Sequence, residues 1–199
     1  MPRGLPDTLS ASSSALHHSD LARTSKRLAI AAAVVCLAAD GCGGSPTSPV
    51  PPPPADIQFT PSGAGSNSLS LLQVDATATT LTLSLDSDTV DGLYAIAFDL
   101  AFPSALLDLV SITEGNFLSG DGSETTFQFL ESADGVLVVG LSLLGPLPGA
   151  VGSGTLLTLE FSRIDAGLGA FVFDSSQAFG SGGEERNDIA WAGGTVQVP

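Results

Sequence analysis

The sequence predicts an all-β protein, a sandwich of jelly-roll type, on three observations. Apolar residues alternate with polar ones in many short segments, the period of strands with one buried face. Twenty-three glycines and 13 prolines punctuate those segments with turn signals. No segment sustains a helical period, and the only local candidate is a turn at Ser104–Leu107. About ten short strands in roughly 145 residues fit two packed antiparallel sheets. No internal repeat of about 20–50 residues is present, so a propeller or solenoid is not expected.

The elements follow in chain order. Arg23, Lys26 and Arg27 precede twelve uncharged apolar residues, Leu28–Ala39. A spanning helix needs roughly 20 such residues, so this stretch reads as the core of an export signal. It ends Ala39-Asp40-Gly41-Cys42, and small residues before a cysteine resemble the lipobox of bacterial lipoproteins, in which the cysteine is acylated and becomes the N-terminus. Residues 1–41 are therefore expected to be a signal peptide and Cys42 the lipid attachment point. An ordinary signal peptide with an incidental cysteine is the alternative. Residues 42–54 form a Pro-rich linker, and GGSPTSPVPPPP (Gly43–Pro54) favours the extended polyproline conformation because proline has no amide donor. At about 3.1 Å per residue its twelve residues make a spacer of roughly 37 Å, a stalk for the domain at 55–199.

Strands are expected at Ile57–Thr60 and Leu69–Asp75, then around Leu81, Leu83 and Leu85. The next runs through Tyr94, Ile96, Phe98, Leu100 and Phe102, followed by Leu107–Thr113. Phe127 and Phe129, Val136–Leu141, Leu157 to Phe161, Phe171 with Phe173, and Thr195–Val198 complete the set. Turns are expected at Asp86–Gly92, Ser119–Ser123, Gly145–Gly154 and Gly180–Asp188.

Composition excludes much chemistry. The whole chain carries a formal charge of −15. From Cys42 onward 158 residues remain, with eighteen acids against Arg163 and Arg186, a charge of −16. Such a domain cannot grip a phosphate backbone, so no nucleic-acid partner is expected. The same 158 residues contain no histidine, no lysine and one cysteine. Histidine-based nucleophilic triads, Schiff-base lysines, disulfides within the chain and His/Cys zinc sites are all ruled out. A carboxylate pair of the glycosidase kind remains formally available, but eighteen acids read first as a solvated surface. The expectation is a protein that is not an enzyme.

Three features are candidate sites. Asp86, Asp88 and Asp91 form D-x-D-x-x-D in an expected loop, whose oxygen ligands admit calcium; a plain turn is the alternative. Trp191 and Tyr94, the only Trp and Tyr, are candidates for stacking on a sugar. The outward set of Leu93–Ala101, namely Leu93, Ala95, Ala97, Asp99 and Ala101, makes a flat surface that a partner protein, or a second layer of the same domain, would cover.

The stretch Gly92–Leu118, GLYAIAFDLAFPSALLDLVSITEGNFL, resembles the cohesin family. GVLVVGLSLL (Gly135–Leu144), GSGTLLTLEF (Gly152–Phe161) and GGTVQV (Gly193–Val198) are similar to its later strands, with Phe102-Pro103 where the family carries Asp-Pro. The resemblance spans roughly residues 56–198. It implies a jelly-roll β-sandwich of about nine strands within the superfamily of carbohydrate-binding domains. It also implies docking of a dockerin-type protein through one sheet face. The combined expectation is a lipid-anchored binding module at the cell surface or outer membrane, linked to polysaccharide degradation, with Ala95, Ala97, Asp99 and Trp191 in its binding surface. A carbohydrate-binding module of the same fold is the alternative function, and a secreted or periplasmic protein the alternative location.

Overall fold

A computed structural model describes residues 55–132 and 135–199. Eleven strands follow one another: β1 Gln58–Pro61, β2 Ser68–Ala76, β3 Thr80–Leu93, β4 Ala95–Ala101, β5 Leu107–Glu114 and β6 Thr125–Ser132, then β7 Val136–Leu143, β8 Ala150–Arg163, β9 Gly167–Phe179, β10 Ala190–Ala192 and β11 Gly194–Val198. No helix occurs among the described residues. One sheet has six strands in the order β1-β11-β9-β4-β7-β6, the other five in the order β10-β2-β3-β8-β5. Every pairing is antiparallel except β10 with β2.

The core lies between the sheets and is built by the alternation that marks the strands. Leu81, Leu83 and Leu85 of β3 and Leu157, Leu159 and Phe161 of β8 point inward from one sheet. Ile96, Phe98 and Leu100 of β4 and Leu137, Val139 and Leu141 of β7 meet them from the other. Each such side chain contributes about 1.5–3 kcal/mol of burial. Aromatic rings link the layers, with Phe161 5.4 Å from Phe102 and 5.2 Å from Phe171, which is 5.7 Å from Phe59.

The structure departs from the expected elements in four places. Asp86–Gly92 is not a turn but the second half of β3, paired to β8 through three register shifts. Those bulges break the period of two, and Thr89 and Gly92 take the positive φ angles that allow them, so a kinked strand reads as a loop. For the same reason half of the expected turn at Gly145–Gly154 belongs to β8, which begins at Ala150. Leu93 is wholly buried rather than outward. The chain changes sheets at Tyr94, so Leu93 ends β3 and Ala95 starts β4, and the parity of inward and outward positions restarts between them. Phe129 is half exposed although it alternates with Phe127, because β6 is an edge strand with β7 as its only neighbour. The turn at Ser104–Leu107 forms, closed by the amides of Leu106 and Leu107 donating to the Pro103 carbonyl.

Candidate functional site

β4 lies inside the six-stranded sheet, between β9 and β7. Its inward residues are spent on the core, which leaves Ala95, Ala97, Asp99 and Ala101 on the outer face, all partly exposed. Register extends that face sideways. Ala97 sits opposite Gly140, Asp99 opposite Val138 and Ala101 opposite Val136 on β7. On the other side Ala97 faces Gln177, Asp99 faces Asp174 and Ala101 faces Val172 on β9. β6 adds Gln128 beside Gly140 and Leu130 beside Val138.

The result is a broad surface with alanine and glycine along its middle and larger apolar groups toward its margins. Leu130 is 68% exposed, Val172 53% and Val138 42%, so nothing in the described domain forms a layer over them. A shallow depression of about 270 Å³ lies over Ala95, Ala97 and Gly140, rimmed by Thr126, Gln128 and Phe179. Small side chains allow a partner's backbone to approach closely, and exposed apolar groups at the margin reward its arrival.

The face is also acidic. Asp99 and Asp174 stand directly across from one another on neighbouring strands. Asp174 accepts the Ser175 amide at 3.0 Å, where the chain turns through a positive φ at the bulge. Neither arginine of the domain serves these carboxylates. Arg163 ends β8 in the other sheet and donates to the Ala78 carbonyl at 3.4 Å. Arg186 lies in the loop before β10, where its Nε and Nη2 each donate to Asp188 at 2.9 Å and its Nη1 donates to the Asp91 carbonyl. Asn67 donates to the same Asp188 carboxylate at 3.0 Å. The Arg186 bond first, then the Asn67 bond, holds the Asp188 carboxyl well below the usual carboxylate range, and Arg186 is raised in return.

Ala95, Ala97 and Asp99 thus share one surface, and Trp191 does not belong to it. Trp191 lies on β10, its ring 5.5 Å from Phe98 and 5.1 Å from Phe173, packed between the sheets. Tyr94, the other candidate ring, donates its hydroxyl to the Gly145 carbonyl at 2.6 Å and packs on the core. Asp86, Asp88 and Asp91 are not gathered into one calcium loop. Asp86 and Asp88 share the outer face of β3, whereas Asp91 lies further along the strand, beyond the register shift between Ser87 and Val90. Among the described residues no three His, Cys, Asp or Glu stand close enough together to hold a metal. Cys42 and the linker lie outside the described residues.

The contributions of β6, β7 and β9 were not legible in the sequence. VLVVGLSL is apolar at both parities over its first half, so alternation does not say that Val138 faces outward while Val139 is buried. Only the register with β4 decides it.

Solved structures resemble this arrangement. A type II cohesin domain from the cellulosome of Acetivibrio cellulolyticus superposes with a TM-score of 0.56 at 13% identity, covering 67% of this chain and 96% of its own. The domain has the cohesin fold. A type II cohesin–X–dockerin complex from the same organism matches with a TM-score of 0.53 at 10% identity, over 63% of this chain and 96% of the other. Type II cohesin A11 of Bacteroides cellulosolvens matches with 0.51 at 15% identity, over 64% and 95%. No protein-family model and no curated protein matches the chain. At these identities the cohesin fold is what the likeness establishes, and the sandwich with its two uneven sheets agrees with the architecture expected above.

Proposed function

We propose that this chain is a non-enzymatic docking module: an exported, cohesin-like sandwich that captures a protein partner, of dockerin type or similar, on the outer face of β9, β4, β7 and β6. The observation that carries the reading is the uncovered surface around Ala97 and Gly140, small in the middle and apolar at its margins. Its fold is shared with a cohesin solved in complex with a dockerin. The lack of histidine and lysine after residue 42 supports recognition over catalysis. Acylation of Cys42 and the proline stalk of roughly 37 Å would hold the domain off a membrane at the cell surface. A role in polysaccharide degradation follows if the partner is carried by a degrading enzyme.

The test is capture of partners from the organism's own secreted proteins, followed by calorimetric titration of the one retained. Ala97→Arg and Gly140→Arg place a bulky charge in the middle of the face without touching the core. Both are expected to weaken saturable binding by at least about a hundredfold, roughly 2.7 kcal/mol, at unchanged thermal midpoint. Full affinity in both variants, or no saturable partner, rejects the reading. A carbohydrate-binding role would instead show as glycan-array binding lost in Trp191→Ala; the engagement of Trp191 and Tyr94 in packing and hydrogen bonding leaves it the weaker alternative.

A further inference from the structure

The five-stranded sheet bears a second surface feature, unconnected with docking. A cleft of about 600 Å³ opens on its outer side, between the segment Pro61–Ala64 and the start of β2 and middle of β3. Register places Ser70 opposite Asp86 and Ser68 opposite Asp88, so hydroxyls and carboxylates alternate across its floor. Ser153 and Gly154 at the start of β8 close one end, and Leu72 with Pro61 supplies apolar surface.

The hydrogen bonds within the cleft define what it would accept. Ser68 donates its hydroxyl proton to the Gly65 carbonyl at 2.7 Å. Ser87 donates to the Gly154 carbonyl at 3.1 Å, and Ser153 donates to Asp88 at 3.3 Å. A hydroxyl whose proton is committed inward has only lone pairs left to offer. Asp86 receives no hydrogen bond among the described residues, and its Oδ1 is buried without a partner. A carboxylate oxygen withdrawn from water and left unpaired is costly, and its counter-charge has to come from elsewhere. It does not come from this domain, since both arginines are engaged at other sites. Asp86 as a whole is only partly buried and lines the cleft.

The site is therefore rich in acceptors, doubly negative and partly walled with carbon. A bare metal ion fits it poorly. Only two carboxylates are present, and the volume is many times the roughly 30 Å³ that a water molecule occupies. We propose that this cleft binds an aliphatic primary ammonium group, its three N–H donors directed at Asp86, Asp88 and the serine oxygens and its methylenes laid against Leu72 and Pro61. That chemistry has two sources, a lysine side chain of another protein and a free alkyl diamine.

Titration of the mature chain with n-butylammonium chloride, read from backbone amide shifts, tests the proposal. Saturable shifts at Ser70, Asp86 and Ser153 are expected. Affinity should fall about tenfold or more in Asp86→Asn and stay unchanged in Asp165→Asn, whose carboxylate lies in the loop after β8. If circular dichroism shows that Asp86→Asn does not fold, Asp88→Asn, at an exposed position, carries the same expectation. Tetramethylammonium, which has no N–H, should bind more weakly. Comparison of 1,5-diaminopentane with an acetylated lysyl peptide then names the source, and saturation by either one supports the site. Absence of saturable shifts overturns it, as do equal binding of tetramethylammonium and unaltered affinity in the folded variant. Calcium that saturates the same amides more tightly than the amine would also overturn it, in favour of a metal.

Discussion

Asp99 and Asp174 face each other across β4 and β9 on the open side of the six-stranded sheet, with no basic side chain of the domain to separate them. Like charges directly opposite on neighbouring strands destabilise a sheet by about 0.2–1 kcal/mol. Asp174→Asn is therefore expected to raise the unfolding free energy by a few tenths of a kcal/mol at low ionic strength, less in high salt. Urea denaturation at two salt concentrations measures this. The same substitution should slow association with a basic partner on this face, and a stabilised variant that binds as fast as before would show that the pair has no part in docking.

With no disulfide available after Cys42, the described domain depends on its core. Phe161 is fully buried and contacts both Phe102 and Phe171. Phe161→Ala should cost about 3–5 kcal/mol, a large fraction of the 5–15 kcal/mol typical of a domain. A shift of the urea midpoint with an unchanged slope is the expected signature.

Acid should loosen the end of the sandwich where Arg186, Asp188 and Asn67 join the loop before β10 to the start of β2. The hydrogen bonds from Arg186 and then Asn67 lower the Asp188 carboxyl in the fold below its ordinary value of 3.8, so the unfolded chain takes up its proton first as pH falls. The stability it contributes is whole above that value and is lost below it, as pH falls toward the depressed value. Asp188→Asn should be less stable than the parent at neutral pH, with the difference narrowing below about pH 4. Thermal midpoints of both proteins across that range provide the measurement, and parallel curves would exclude the carboxylate from the effect.

Backbones meet at Gly149, where a Cβ would stand 2.2 Å from the carbonyl carbon and oxygen of Gly92. Neither atom is the end of a flexible side chain, so the strands themselves would have to separate. Gly149→Ala is expected to destabilise by about 1–3 kcal/mol, against about zero for Gly63→Ala, which has open space around it. Paired denaturation curves distinguish the two.

Much of the fold was legible because burial writes itself into alternation. Leu81, Leu83 and Leu85, Ile96, Phe98 and Leu100, and Leu157, Leu159 and Phe161 each mark a strand and the face it buries, and all are core residues. Alternation fails where strands bend. The bulges in β3 disguise Asp86–Gly92 as a turn, and the change of sheet at Tyr94 turns Leu93 inward. It is also silent where both parities are apolar, as at Val138 and Val139.

For the candidate surfaces the division is similar. That Ala95, Ala97 and Asp99 share one side of a strand, and that the residues after Cys42 include no histidine and no lysine, follows from residue order and composition alone. That Asp174, Val172, Gly140 and Leu130 join them was decided by cross-strand register, as was the meeting of Asp86 with Ser70 on the other sheet. The parity of a side chain is a local consequence of the pleat. Which strands become neighbours depends on how two whole sheets bury their apolar faces together, a property no single segment carries.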